Sequence, residues 1–309
     1  MWDATLGLES REHAWARLRS VEPVRDRQDS SNPACQWWGQ YDDGYASQMH
    51  RPHAGADSDA TAASAAGAAV PRAPVPAGSG APEALAALAN EIVDCRACVR
   101  LVAWREDAAA NPPARFRGET YRARPVPGFG DPDARILLLG LAPAKDGGNR
   151  TGRVFTGDRS GDFLFAALHR AGLASQPTST GRDDGLELHG AYVTAAVRCA
   201  PPDNKPLPDE RDRCAPYLHR ELALLAELRV VVALGAFAWQ AAIRAVEAAG
   251  GVLARPRPRF GHGAEASVGP CMILGSYHPS QQNTFTGRLT PDMLDAVLAR
   301  ACELAAERV

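Results

Sequence analysis

The stretch GLAPAKDGGNRTGRVFTGD, residues 140–158, gathers the groups that chemistry on a bound ligand requires. It holds two carboxylates, Asp146 and Asp158, one aromatic ring, Phe155, and one of the two lysines of the chain, Lys145. Five of its 19 residues are glycines, which allow backbone to approach a ligand closely. A branched apolar run at 136–139 precedes it and a helical pattern at 160–173 follows. A Gly-rich loop between a buried strand and a helix N-terminus is where α/β folds place ligands. These residue types fit a clamp for a flat, hydrogen-bonding ligand held beside an acid or base.

Three further groups carry chemistry. Cys95 and Cys98 form a C-x2-C pair, and Cys199 and Cys214 flank a loop of 14 residues. Four thiolates converging on one point would hold a [4Fe–4S] cluster or a structural zinc, the alternative being four buried cysteines that act as small hydrophobes. His278 ends the apolar run at 271–277 and opens the polar stretch HPSQQNTFTGR. It reads as a ligand-facing imidazole at a strand end or as a structural hydrogen-bonder. Asn204, in APPDNKP, offers a donor and an acceptor that suit the edge of a base, or else serves the turn alone.

The elements that must position these groups alternate. Strands are expected near 135–141, 190–199, 229–234 and 271–277, and helices near 85–104, 160–173, 209–228, 236–248 and 291–306. Cys95 and Cys98 fall within the first helix or at a turn in it. Strands and helices alternating at this spacing predict a three-layer α/β/α sandwich around a central four-stranded parallel sheet. The loops after its first, second and fourth strands open on the carboxyl edge, so Phe155, Asp158, Asn204 and His278 can share one crevice.

One such domain is expected over residues 83–309. The 1–82 extension joins a Trp-bearing leader (Trp2, Trp15, Trp37, Trp38), with a short helical pattern at 11–21, to an Ala/Gly/Pro/Ser linker at 55–82. That linker is expected to be disordered for lack of side chains to bury. The net charge of −2 gives no global basic footprint. No run of about 18 apolar residues suggests a membrane span, and the N-terminus lacks the apolar segment of a secretory signal, so the expected compartment is the cytoplasm. Seven cysteines are too few for a disulfide scaffold. Cys271 reads as core; Cys35 and Cys302 have no evident partner.

The motifs GLAPAKDGGNRTGRVFTGD, CAPPDNKP and SYHPSQQNTFTGR, together with the four cysteines, resemble the type-5 branch of the uracil-DNA glycosylase superfamily. The resemblance runs from about Glu91 into the last helix and includes LVAWRE, RPVPGFGDP and YVTAAVRCAPP. It implies a uracil-DNA glycosylase-like fold and a DNA repair enzyme that excises uracil, with hypoxanthine and other damaged bases as further candidates. It further implies a [4Fe–4S] cluster on Cys95, Cys98, Cys199 and Cys214, and catalysis by Asp158, Asn204 and His278. Phe155, Ala142, Gly147 and Asn149 would bind the base. Arg150, Lys205, Ser280, Gln281, Asn283 and Arg288 would meet single- or double-stranded DNA, in a monomer. The family carries Ala-His-Gly where this chain has Lys145-Asp146-Gly147, which changes the charge expected in the pocket. The competing reading is a catalytically idle iron–sulfur or zinc protein that binds nucleic acid.

Overall fold

The computed structural model describes residues 80–249, 251–253, 255–269 and 271–307. The expectations for the leader, for most of the linker and for Cys35 lie outside these residues.

Three strands read as unbroken apolar runs: β2 (Ile136–Gly140), β3 (Ala191–Ala195) and β4 (Val230–Leu234) are buried at every position. Such runs belong to parallel strands covered on both faces. With β6 (Cys271–Ser276) they form the parallel centre of the sheet, β3-β2-β4-β6. The sheet has six strands rather than four. Two antiparallel edges complete it: β1 (Phe129–Gly130) on β3 and β5 (Glu265–Val268) on β6. The additions carry no apolar run because one is two residues long and the other alternates exposed and buried positions.

Alternate residues of β2 send side chains to opposite cores. Ile136 and Leu138 join one cluster with Leu164, Phe165 and Leu168 of α4 (Arg159–Arg170) and Leu294, Val297 and Leu298 of α8 (Pro291–Ala306). Leu137 and Leu139 join the other with Leu218 and Leu222 of α5 (Pro208–Leu224) and Trp239 and Ile243 of α6 (Ala236–Ala248). These are the expected three layers. Two short helices, α3 (Gly148–Thr151) and α7 (Gln281–Phe285), lie in loops after β2 and β6. No helix among the described residues is long and apolar enough to cross a membrane.

The expected helix near 85–104 is two helices, α1 (Ala81–Asp94) and α2 (Val99–Ala110). The chain leaves helical geometry at Cys95 and re-enters after Cys98, both extended, so the C-x2-C pair sits in the corner between them. Leu88, Ile92 and Leu101 pack there with Val197, Cys214 and Tyr217 as a third apolar cluster.

A buried ion pair ties β3 to α5. The Glu221 carboxylate accepts from Arg198 (2.6 and 3.0 Å), from the Thr194 hydroxyl (2.7 Å) and from the backbone N–H of Gly128 (3.1 Å). Neither partner is more than 2% exposed. Removing one member leaves an uncompensated charge in a dry interior, which costs about 3–5 kcal/mol. Glu221→Ala is therefore expected to lower the unfolding free energy by about that amount in urea titrations. A loss below about 1 kcal/mol, the range of an exposed pair, would show that the network does not hold the sheet.

Candidate active site

Glycine makes the room in which Phe155 and Asp158 sit. A Cβ on Gly140, the last residue of β2, would lie 2.8 Å from the Phe155 ring, so the ring can cover the strand end only because that atom is absent. A Cβ on Gly161 would lie 1.9 Å from the Phe155 carbonyl oxygen. Phe155 itself has φ +52°, a left-handed conformation that a bulky side chain adopts only when its surroundings impose it. Its ring is 7% exposed and lies 5.8 Å, centroid to centroid, from the His278 imidazole at an angle of 34°.

What holds this backbone is a second buried ion pair. Arg153 donates to Asp184 (2.6 Å), to the Ser179 hydroxyl (2.9 Å) and to the Thr156 hydroxyl (3.0 Å). Ser179 also accepts the Gly157 N–H at its carbonyl (2.9 Å). Burial alone would raise the Asp184 carboxyl. Arg153 and the N–H groups of Leu186, Thr180 and Gly181 outweigh it and hold the group down at about 2.

Asp158 is the N-cap of α4, its Oδ1 accepting from Gly161 N at 2.9 Å. A Cβ on Gly147 would come 2.0 Å from Oδ2, so the carboxylate lies against the backbone of the Gly-rich loop. Burial raises its pKa, against the pull of the Gly161 and Ser160 N–H groups. Asp158 therefore has a structural task, capping, alongside the catalytic one implied by its motif.

The rest of the loop is more occupied than the sequence suggests. Asp146 accepts from the Tyr121 hydroxyl (2.9 Å) and lies 3.4 Å from Arg115, so its charge is engaged by the 115–121 segment. Lys145 lies over the Trp104 ring at 5.6 Å. Asn149, expected to bind a base, is buried and donates to the Arg105 carbonyl (3.2 Å). Ala142 packs on the cysteine-lined cluster rather than with Phe155. Arg150, expected to meet DNA, donates to the carbonyls of Asp146 (2.8 Å) and Gly157 (2.9 Å) and to Glu119 (2.6 Å), and covers Phe116 at 4.1 Å. It is a brace of the loop, since every part of its guanidinium is engaged.

His278 leaves the end of β6, where burial pushes its pKa down to about 4, so the ring is neutral at neutral pH. Asn283 donates to its carbonyl (2.8 Å), which makes Asn283 a brace as well. Ser280 starts α7, Gln281 is exposed, and Arg288 covers the Tyr277 ring at 4.7 Å. Phe285, missed in the sequence, is 69% exposed with Arg159 over its ring at 5.8 Å. Asn204 and Lys205 are exposed after β3, Asn204 at φ +55°. The fold thus brings Phe155, Asp158 and His278 near one another, while Asn204 shares the carboxyl edge with them and is hydrogen-bonded to none of the three among the described residues.

Cys95, Cys98, Cys199 and Cys214 line one cavity, of about 350 Å³ including its mouth, with Arg105, Arg213 and Tyr217. All four are free thiols. Burial pushes Cys214 up to about 12 and Cys199 up to about 11, the latter against the pull of Arg105. The sequence reading missed Arg105, which donates to Cys199 Sγ at 3.0 Å. Its place on the buried stripe Leu101, Val102, Arg105, Ala108 of α2 was the available signal.

The family model for the uracil DNA glycosylase superfamily matches residues 127–302. A type-5 uracil-DNA glycosylase of Thermus thermophilus is 54% identical over 220 residues, 71% of this chain and 97% of that protein. One of Mycobacterium leprae is 51% identical over 229 residues, 74% of this chain and 98% of that protein. One of Mycobacterium bovis is 54% identical over 213 residues, 68% and 78% of the two chains.

The Arg153–Asp184 pair makes a pH prediction. A carboxyl held at about 2 when folded, against about 3.9 unfolded, contributes stability that is complete above pH 4 and lost as pH falls toward 2. The size is about 2.5 kcal/mol. Asp184→Asn is expected to be less stable than the parent by about this amount at pH 7, with the gap closing on acidification below about pH 4. A gap that stays constant with pH would show that the charge is not what Arg153 holds.

Proposed function

The chain belongs to the uracil-DNA glycosylase superfamily, and we propose that it removes uracil from DNA by hydrolysing the bond between base and sugar, opening base excision repair. Type-5 relatives over 50% identical across most of their length support the reaction class. The observation that carries the site assignment is the buried Phe155 ring beside His278, three residues from the glycine-cradled carboxylate of Asp158. Hypoxanthine and other deaminated bases are further candidates, since an aromatic face stacks on any of them.

A base inside a duplex is out of reach, so it must be turned out into a pocket and stacked, here on Phe155. As the bond breaks, positive charge grows on the sugar and negative charge on the base. An ionised Asp158 stabilises the sugar and takes a proton from the attacking water, help worth about 10²- to 10⁴-fold. His278 is neutral, so it acts on the departing base as a hydrogen-bond donor rather than as a cation. Asn204, whose side chain makes no hydrogen bond among the described residues, would orient the base or the water. Lys205, Gln281 and Arg288, all exposed, would meet the phosphates, with Arg150 and Asn283 bracing the loops that carry them. We take the protein to act as a monomer and assign it to the cytoplasm.

The four thiols line one cavity, a donor set that fits an iron–sulfur cluster. Cys95, Cys98, Cys199 and Cys214 would hold a [4Fe–4S] cluster that cross-links the α1–α2 corner, the loop after β3 and α5.

Asp158→Asn separates the two tasks of the carboxylate, because asparagine caps a helix about as well as aspartate. The variant is expected to fold like the parent and to release uracil from an oligonucleotide about 10²- to 10⁴-fold more slowly in single turnovers. The parent's rate should also fall on acidification sooner than for an ordinary aspartate, since burial raises the pKa of the group that must be ionised. An unchanged excision rate in the variant would remove Asp158 from the chemistry.

A further inference from the structure

Three arginines of the described chain are at least nine-tenths buried, and two of them face carboxylates. Arg198 is bound to Glu221, and Arg153 to Asp184. Arg105, 1% exposed, has no carboxylate within ion-pair distance among the described residues. Its guanidinium donates to Cys199 Sγ at 3.0 Å and to the Cys95 carbonyl at 3.3 Å, and its Nε–H is buried without a partner. A guanidinium does not lose its proton in a protein, so this site holds a positive charge whose counter-charge the carboxylates do not supply. The group lines the same cavity as the four cysteines. Two other arginines line it: Arg198 is bound to Glu221, and Arg213 is half exposed and lies 3.4 Å from Asp209, so both charges are met elsewhere.

We propose that Arg105 is the buried counter-cation of the iron–sulfur cluster, fixing its charge and its reduction potential through the hydrogen bond to the Cys199 sulfur. The proposal rests on the cluster reading of the cysteine cavity. A cluster held by four thiolates is net negative, and hydrogen bonds to its sulfurs together with nearby positive charge favour the reduced form. Its Nε–H, buried without a partner, is a further donor of the same guanidinium. Arg105 is a positioning residue, since it touches a cluster ligand and not the DNA base.

The test uses the full chain purified without oxygen, as parent, Arg105→Met and Arg105→Lys. Iron, acid-labile sulfide and the visible spectrum report loading, film voltammetry gives the potential, and bleaching with a chelator in air gives lability. Arg105→Met is expected to bleach several-fold faster than the parent and to have a more negative potential. Arg105→Lys keeps the charge without the planar donor set, so it should load a cluster whose potential falls between the two. A loaded Arg105→Met with the parent's potential and bleaching rate overturns the proposal and leaves the cluster reading standing. If the Met variant does not fold, a Lys variant with the parent's potential overturns it in the same way. A parent chain with neither iron nor sulfide takes down the cluster reading and this proposal together.

Discussion

A carboxylate, an aromatic ring and a carbonyl each occupy space that a single methyl group would fill. A Cβ at Gly140 would strike the Phe155 ring, one at Gly147 the Asp158 carboxylate, and one at Gly161 the Phe155 carbonyl. Since real Cβ atoms do not approach within 3.0 Å of such groups, the arrangement exists only with glycine at all three places. From this close packing follow the left-handed Phe155, the capped Asp158 and the contact with His278. The parallel sheet brings three loops to one edge, and the missing methyls let the loop after β2 fold closely on itself.

Buried charge does the remaining positioning. Ions in a dry interior carry a desolvation cost of several kcal/mol each, so their value here lies in fixed geometry more than in stability. Arg198 and Glu221 join β3 to α5 beneath the site, and Arg153 and Asp184 stiffen the turn that presents Phe155. Arg105 faces sulfur on one side, while its backbone carbonyl accepts from Asn149 of the Gly-rich loop. The cysteine cavity and the Gly-rich loop are thus two hydrogen bonds apart.

The parallel centre of the sheet was legible in the sequence because strands covered on both faces leave unbroken apolar runs, as at Ile136–Gly140. The edges were not: β1 has two residues and β5 alternates, so neither differs from loop by composition. The turn at Cys95 and Cys98 was one of two readings left open, because apolar residues keep their helical spacing across it; the structure breaks the helix there. In the candidate site, Phe155 and Asp158 were legible as the aromatic ring and a carboxylate of a Gly-rich loop, and His278 as an imidazole just past a strand end. Asn149 and Arg150 looked available because a polar side chain in a loop gives no sign of being spent on its own backbone. Asp146 looked like a new charge in the pocket, whereas Tyr121 and Arg115, some 30 residues earlier, engage it.

In the proposed complex a base turned out of DNA lies on Phe155 with Asp158 at its sugar. The most direct measurement is a crystal structure of the Asp158→Asn protein with a uracil-containing duplex, a variant that keeps the cap of α4. The uracil should lie out of the helix with its ring against Phe155, His278 within hydrogen-bond reach of a base oxygen and the side chain of residue 158 beside C1′. A uracil still stacked in the duplex, or held against a surface remote from Phe155, would contradict it.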